Sequence, residues 1–197
     1  MKKLILNILI LISFSCLGQE KDSTEIINIS GKIISGVNQK PLENGYVVID
    51  MTGAVSDENG HFELEYKKSK KDSLKKIKLY GMGYKEFDTI LNLDYKKSIQ
   101  LKVVLEPSFD LTKETALSDI KNGTPRILLS SGEVPVIYKS DKKFSKKYKI
   151  SFSEFGCEAV APESLLDYNS TIFKYLDEKY GTKWRKQIRK DVVGLDK

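Results

Sequence analysis

The stretch V-S-D-E-N-G-H-F-E-L, residues 55–64, decides how the first half of this chain folds. It places an acidic turn with a glycine between residues that favour β-strands. Asp57 and Asn59 can accept hydrogen bonds from their own backbone, and Gly60 can supply the positive φ that a tight turn needs. The stretch therefore predicts a hairpin between two strands.

A calcium-binding loop of the EF-hand type is the alternative for this stretch. Such a loop needs oxygen ligands at its first, third and fifth positions, glycine at the sixth and a bidentate Glu at the twelfth. With Gly60 at the sixth position, Asp57 and Asn59 are acceptable ligands, but Val55 and Tyr66 fall where carboxylates are required. We therefore predict no metal site here, and nothing else in the sequence indicates a cofactor.

The region around this turn has the pattern of a β-sandwich. Short runs of β-branched residues alternate with turn signals at about the 8–12-residue spacing typical of sandwiches. Gly31 interrupts the first run, I-I-N-I-S-G-K-I-I, and indicates a bulge or a close approach. The tripeptide E-P-S at 106–108 ends the region. We expect an antiparallel sandwich of roughly five to seven strands.

Four sequence blocks in this region resemble the carboxypeptidase regulatory-like domain. They are I-S-G-K-I-I, K-P-L-E-N-G-Y-V-V-I-D, V-S-D-E-N-G-H-F-E-L and L-Y-G-M-G-Y-K, in the family's order over residues 28–106. Gly45 stands where the family usually has Ala, and Ser56 where it often has Thr. The resemblance implies a transthyretin-like β-sandwich that is a structural or interaction module without catalytic residues. Its fold-defining positions would be Asp57, Gly60, Phe62, Gly83 and Tyr84.

Beyond residue 108 the pattern changes to that of a small α+β domain. We predict a helix over residues 111–121, capped by Thr112 and stopped by Asn122-Gly123. Two short strands are expected around Gly132, then a helical turn or two in D-K-K-F-S-K-K-Y and a strand in K-I-S-F-S-E-F. Two helices over residues 162–180 and 182–193 end the domain, the second with Trp184, Ile188 and Val192 on one face.

The N-terminus has the order of a secretory signal peptide. Lys2 and Lys3 precede a largely apolar run, and Gly18 precedes the polar Gln19. The run is too short to cross a bilayer core of about 30 Å as a permanent helix. We therefore expect cleavage after Gly18 and export to the periplasm or outer membrane, or secretion.

Lipid attachment at Cys16 is the alternative to simple cleavage. Of the preceding residues Ser13, Phe14 and Ser15, only the last fits a lipidation motif. Either route leaves Cys157 as the single thiol of the folded chain, which excludes an intramolecular disulfide. A buried, inert Cys157 is expected, with a reactive or intermolecular thiol as the alternative.

The predicted architecture therefore has three parts. Residues 1–18 form a signal peptide, residues 26–106 a carboxypeptidase regulatory-like β-sandwich, and residues 109–197 a small α+β domain of unknown role. The fold class is mainly β plus α+β.

Few residues are suited to catalysis. The chain contains one histidine, His61, whereas a catalytic zinc site commonly needs two histidines and a carboxylate. A serine triad or a Cys157–His61 dyad would depend on this His61, which we expect to be an exposed strand residue. We predict a non-enzymatic protein. The alternative is an enzyme that uses Cys157 or a carboxylate of the C-terminal domain.

Charge indicates the kind of partner. The net charge of +6 comes from 33 basic and 27 acidic residues that are interspersed, which is short of a nucleic-acid-binding signature. A candidate basic contact surface lies on the last predicted helix, at Lys183, Lys186, Arg189 and Lys190. It fits an acidic partner or the head groups of a membrane surface. The predicted function is an exported cell-envelope protein whose sandwich is a structural or docking module and whose C-terminal domain binds a protein or glycan.

Overall fold

The structure is a computed structural model and describes residues 24–69, 72–130, 132 and 136–195. The predicted signal peptide and Cys16 lie outside the described residues. Within these residues the structure is mostly β-sheet with three α-helices, which makes it an α+β protein. Among the described residues, no helix combines the length and the apolarity needed to span a membrane.

Seven strands lie between residues 25 and 105, with residues 70 and 71 outside the described part. They are β1 (Glu25–Ser35), β2 (Tyr46–Ile49), β3 (Thr52–Val55), β4 (His61–Lys68), β5 (Leu74–Tyr80), β6 (Phe87–Asn92) and β7 (Ser98–Leu105). One sheet has the order β4-β1-β7 and the other the order β3-β2-β5-β6. The sandwich is therefore present, but it is not fully antiparallel, because β1 and β7 pair in parallel.

Alternation of side chains explains these strands, and β4 shows it best. Phe62, Leu64 and Tyr66 are buried, whereas the residues between them are exposed. The ring of Phe62 covers Gly31 on the neighbouring strand. A Cβ at Gly31 would lie 2.3 Å from the carbonyl oxygen of Leu101 and 2.7 Å from Cζ of Phe62. This confirms the close approach predicted for Gly31.

The turn of residues 55–64 crosses from one sheet to the other. Oδ1 of Asp57 accepts hydrogen bonds from the backbone N–H groups of Asn59 and His61, at 2.9 and 2.8 Å. Gly60 has a φ of 73°, and its carbonyl accepts from the Ile33 N–H at 2.8 Å. The turn forms as predicted. The prediction of a hairpin is wrong, because the two strands that flank the turn do not pair with each other. The strands that it joins, β3 and β4, pair instead with β2 and β1.

The second half of the chain, which we call the C-terminal unit, contains the helices. Its elements are α1 (Lys113–Lys121), β8 (Arg126–Leu128), α2 (Lys139–Tyr148), β9 (Ser151–Ser153), α3 (Pro162–Tyr180) and a 3₁₀ helix (Thr182–Lys186). β8 and β9 pair in parallel. The predicted cap of α1 is confirmed, since Oγ1 of Thr112 accepts from the Thr115 N–H at 3.2 Å. The predicted bounds of α3 are also confirmed.

Two predictions for the C-terminal unit are wrong. The helix over residues 182–193 stops at Lys186, because the chain then turns to place Val192 in a β-bridge with Leu129. The second strand near Gly132 is not formed by residues 136–138, and residues 133–135 lie outside the described part. Instead α2 begins at Lys139, where the Tyr138 N–H donates to the carboxylate of Asp141 at 3.1 Å.

Two hydrophobic cores meet at one end of the sandwich. The first lies between the two sheets, and the second surrounds the fully buried Tyr168, Ile172 and Trp184. Ala161 belongs to the C-terminal unit but is fully buried against the first core. Gly83, in the loop between β5 and β6, contacts the backbone of Ala161 directly. This Gly83–Ala161 contact defines the junction between the two halves.

Buried tyrosines should make the protein sensitive to alkali. Burial raises the pKa of Tyr84 to about 12, and the nearby carboxylate of Glu163 adds to the rise. Burial also raises the pKa of Tyr168 to about 12, together with its hydrogen bond to Asp119. A tyrosine in an unfolded chain ionises near pH ~10. Because each tyrosine has a higher pKa in the folded chain than in the unfolded chain, its neutral form stabilises the fold. This contribution to the free energy of unfolding is complete below about pH 10 and is lost as the pH rises towards 12.

Chemical denaturation at several alkaline pH values, with tyrosinate absorbance recorded in parallel, measures this loss. The free energy of unfolding should fall with pH above about 10, and Tyr84→Phe and Tyr168→Phe should each make the fall less steep. A free energy that stays flat through this pH range would contradict the prediction.

Candidate functional site

The C-terminal unit has an open cleft beside β9, which we call the β9 cleft. Its volume is ≈ 590 Å³. Helix α2, strand β9, the segments next to them and the stretch after the 3₁₀ helix supply its lining residues, which are Val136, Ile137, Asp141, Lys142, Ser145, Phe152, Glu154 and Arg189. The cleft therefore combines apolar and charged side chains along one strand.

The far edge of the small sheet, on β8, is closed by a side chain. Oδ1 of Asn169 accepts from the Leu128 N–H, and Nδ2 of Asn169 donates to the Leu128 carbonyl, both at 2.9 Å. Nδ2 also donates to the Val193 carbonyl at 3.1 Å. The buried amide therefore takes the place of a neighbouring strand, and the bridge from Val192 to Leu129 extends the closure.

The edge of β9 that faces the cleft has no partner strand among the residues that the structure describes. The Ser151 N–H donates to the Pro125 carbonyl at 3.1 Å, and the Ser153 carbonyl accepts from the Leu129 N–H at 2.9 Å. Both residues therefore point their backbone groups towards β8. Successive residues of a strand point these groups to opposite sides, so the N–H and C=O of Phe152 face away from β8. No hydrogen bond from the described residues reaches them, and such an edge can pair with an added strand.

Arg189 forms part of the cleft wall as a fixed cation. Nε and Nη2 of Arg189 each donate to the carboxylate of Asp191 at 2.7 Å, and Nη1 donates to Asp141 at 3.2 Å. The guanidinium lies 4.7 Å from the ring centre of Tyr138 and 5.8 Å from that of Phe152. The hydrogen bonds to Asp191 raise the pKa of Arg189, and the same bonds lower the pKa of Asp191. Arg189 therefore holds the neighbouring side chains of the cleft in place, while the carboxylates of Asp191 and Asp141 neutralise its charge.

The burial of Arg189 corrects the predicted basic contact surface. Its side chain is 4% exposed, because carboxylates pair with it and two aromatic rings cover it. Lys183, Lys186 and Lys190 are exposed, but they follow the short 3₁₀ helix and no longer share one α-helical face with Arg189.

Three consecutive apolar side chains are exposed at the rim of the β9 cleft. Val136 is 52%, Ile137 81% and Tyr138 44% exposed. Consecutive exposed apolar residues beside an unpaired strand edge are unusual for a surface that contacts only water. The rim and the edge together could bind an extended segment.

The remaining predicted site residues lie elsewhere. Cys157 is exposed, so the prediction of a buried thiol is wrong. Its neighbours Phe155 and Val160 are half-buried and pack against the second core, and Cys157 lies on the turn between them. His61 is exposed on β4, as predicted. Within the described part of the chain, no hydrogen bond joins Cys157 to His61, and no group of His, Cys and carboxylate residues is arranged to hold a metal ion.

The five fold-defining positions fall into two groups. Asp57, Gly60 and Phe62 lie at the turn into β4, whereas Gly83 and Tyr84 lie at the junction. Either hydroxyl can donate in the hydrogen bond of 2.7 Å between Tyr84 and Ser35, which ties the junction loop to the end of β1. Asp57, Gly60 and Phe62 therefore shape the sandwich, and Gly83 and Tyr84 lie where the C-terminal unit packs against it.

One residue of the sequence indicates that the edge of β8 is closed, although the apolar spacing of α3 does not show it. Asn169 is a polar residue on the apolar side of α3, between Leu165 and Ile172. A polar residue on a buried helix face must find hydrogen-bond partners inside the protein. Asn169 therefore marks a backbone edge that needed closing.

Comparison with known proteins does not name a family. No family model matches the chain, and no curated protein matches it. The resemblance to the carboxypeptidase regulatory-like domain therefore stays a prediction.

Solved structures give only weak similarities. A 3-chlorocatechol 1,2-dioxygenase from Rhodococcus opacus 1CP is 12% identical over 45% of this chain and 62% of its own, with a TM-score of 0.35. A cohesin–X-dockerin complex from Acetivibrio cellulolyticus gives 15% identity over 58% of this chain and 81% of its own, with a TM-score of 0.35. A DUF3823 family protein from Parabacteroides merdae gives 12% identity over 43% of this chain and 47% of its own, with a TM-score of 0.29. Similarities at this level carry no inference about function.

Proposed function

We propose that this protein is an exported, non-enzymatic binding protein of the cell envelope, and that its β9 cleft binds an extended segment of a protein partner. The observation that carries the proposal is the backbone edge of Phe152 inside the cleft, which no hydrogen bond from the described part of the chain reaches. An edge of this kind fits a peptide better than a glycan, because a peptide supplies one donor and one acceptor at the spacing of a β-strand.

Binding would combine backbone pairing with apolar contact. A partner strand beside β9 would accept from the Phe152 N–H and donate to the Phe152 carbonyl, each bond contributing roughly 0.5–1.5 kcal/mol. Ile137, which is 81% exposed, would cover an apolar side chain of the partner. Lys142 and Glu154 line the same cleft and would select the charges that flank that side chain.

The sandwich would hold this cleft away from the start of the chain. Strand β1 has 11 residues and runs from the entry of the chain towards the junction with the C-terminal unit. At about 3.3 Å per residue, a strand of this length extends about 36 Å. The sandwich is therefore a rigid spacer, and its own role in binding a partner at the cleft is indirect.

A display library of unstructured peptides, panned against the full chain, tests the proposal. Peptides that enrich should lose affinity about tenfold or more in the variant Ile137→Lys, as expected for an apolar anchor. The matched control is Leu117→Lys on α1, which alters a side chain that is 49% exposed and lies outside the β9 cleft. It should leave the affinity unchanged.

Hydrogen exchange of the Phe152 amide is a second measurement, and peptide binding at another site would leave its rate unchanged. A bound peptide should slow exchange of the Phe152 amide, since that amide would become part of a ladder. If the enriched peptides bind Ile137→Lys as well as the parent chain and leave the Phe152 amide unprotected, the cleft is not the binding site.

A further inference from the structure

The end of the sandwich away from the C-terminal unit forms a second surface of distinct chemistry. It is built from the start of β1, the turn between β2 and β3, the end of β4 with the start of β5 and the described residues between them, and the loop between β6 and β7. We call this end the N-terminal pole. Hydrogen bonds join its parts, from Nζ of Lys68 to the Leu93 carbonyl at 3.1 Å and from the Asn28 N–H to the Lys97 carbonyl at 3.0 Å.

Each part of the N-terminal pole carries an exposed apolar side chain. Tyr95 is 105% exposed and Met51 is 100% exposed, and both lie at loop tips. Leu74 at the start of β5 is 62% exposed, and Ile26 in β1 is 55% exposed. Single exposed apolar residues are ordinary, but here every neighbouring element places one at the same end. Tyr95 has a φ of 59°, so the loop holds its ring outward in a backbone conformation that few residues adopt.

The charged residues of the N-terminal pole are of two kinds. Most of its acids form ion pairs with lysines, and other lysines have no carboxylate partner among the described residues. Lys75 pairs with Asp50 at 2.8 Å and with Asp72 at 3.2 Å, and Lys68 pairs with Asp94 at 3.3 Å. These pairs remove most of the negative charge from the surface.

Three further lysines of the pole take no part in these pairs. Lys67, Lys96 and Lys97 are exposed, and no carboxylate among the described residues pairs with them. Within the described residues, Glu25 has no ion pair, and neither has Glu65, two residues before Lys67 on the exposed side of β4. The outer surface is therefore basic as well as apolar at its tips.

The chain enters the sandwich at this same pole. Residues 1–23 precede β1 and contain the apolar run that follows Lys2 and Lys3. Any attachment of this segment to a membrane, before cleavage or through Cys16, would bring the N-terminal pole to the membrane surface. A single lipid chain or short apolar segment holds a protein only weakly, and a basic patch is a common second contribution.

We infer that the N-terminal pole rests on the surface of a bilayer that contains anionic lipids. Met51 and Tyr95 would enter the boundary between head groups and acyl chains, where amphipathic and aromatic side chains are favoured. Lys67, Lys96 and Lys97 would lie beside the phosphates, each contributing on the order of a fivefold gain in affinity. This inference does not depend on the β9 cleft, which lies in the other half of the chain.

Depth-dependent quenching tests the inference on the full chain. The parent variant carries Cys16→Ser and Cys157→Ser, so that a single fluorescent label can be attached at Met51→Cys. The matched control carries the label at Met82→Cys, since Met82 is also exposed, at 80%, but lies beside Gly83 at the junction. Vesicles contain phosphatidylcholine with or without phosphatidylglycerol, together with a lipid that carries a quencher on its acyl chain.

We expect quenching of the label at position 51, on phosphatidylglycerol vesicles only, and none at position 82. If the protein sediments with vesicles while position 51 stays unquenched, another part of the chain holds it and the inference is overturned. Absence of any binding to phosphatidylglycerol vesicles would overturn it as well.

Charge reversal separates the N-terminal pole from the basic residues of the C-terminal unit. Lys96→Glu with Lys97→Glu should weaken vesicle binding by roughly tenfold or more, since each change removes one attractive charge and adds a repulsive one. Lys183→Glu with Lys186→Glu changes the net charge equally and should have a much smaller effect. The opposite ranking would place the membrane contact on the C-terminal unit and contradict the inference.

Discussion

Gly83→Ala is expected to break the junction between the sandwich and the C-terminal unit, lowering the free energy of unfolding by more than about 4 kcal/mol. A Cβ at this position would lie 2.2 Å from the backbone N of Ala161 and 2.4 Å from the carbonyl carbon of Val160. Both are main-chain atoms of the segment that leads into α3, so no rotation of a side chain can relieve the overlap. The two cores would have to separate.

Backbone conformation adds to this cost at Gly83. Its φ is 84°, in the left-handed region that residues with a Cβ rarely adopt. Gly123→Ala is the matched control, because Gly123 has a φ of 76° but a Cβ there would meet nothing within 4 Å. The control should therefore lose only about 1–2 kcal/mol from backbone strain.

Urea denaturation followed by circular dichroism and tryptophan fluorescence measures both variants. The signal of Trp184 reports on the C-terminal unit, since it is the single tryptophan of the chain. If Gly83→Ala and Gly123→Ala lose the same free energy, the contact with Ala161 does not hold the two halves together.

Trp184→Ala is expected to lower the free energy of unfolding by about 3–5 kcal/mol, the usual cost of removing a large buried aromatic side chain. Trp184 is fully buried, and its ring centre lies 5.5 Å from that of Phe173. Its indole N–H donates to Oδ1 of Asp177 at 2.8 Å, and Arg185 pairs with the same carboxylate at 2.8 Å. Truncation would leave a cavity in the second core and remove one hydrogen bond from Asp177.

Trp184→Phe separates these two contributions. It keeps much of the apolar volume but loses the donor, so the expected loss is about 1–2 kcal/mol. Phe87→Ala serves as the control for removing an aromatic side chain that is 38% exposed, and it should cost less than Trp184→Ala. Thermal unfolding of the three variants gives the ranking. A loss from Trp184→Ala no larger than that from Phe87→Ala would contradict the assigned core.

Local patterns in the sequence predicted the elements better than their partners. The alternation in H-F-E-L-E-Y and the apolar spacing of α3 were sufficient, because each depends on residues close together in the chain. Which strands pair is a long-range property. The parallel pairing of β1 with β7 joins residues 28–35 to residues 98–105, and no local signal specifies it.

The errors in the C-terminal unit have the same origin. Trp184, Ile188 and Val192 are all buried and have helical spacing, but Val192 is buried by a bridge to Leu129. Arg189 belongs to a run of basic residues that looks solvated, and one of its carboxylate partners, Asp141, is 48 residues away. In both cases a contact distant in sequence decided the environment of the residue.

Because Asn169 closes the edge of β8, the number of partner strands that can add to the small sheet is limited. A sheet with two open edges can pass strand addition from one molecule to the next, which is the route to fibres. In this chain the small sheet can grow on one side only, because the amide of Asn169 occupies the other. A bound peptide would therefore end the sheet at one partner per chain. If two copies instead paired through their β9 edges, the assembly would close as a symmetric dimer and could not polymerise through this sheet.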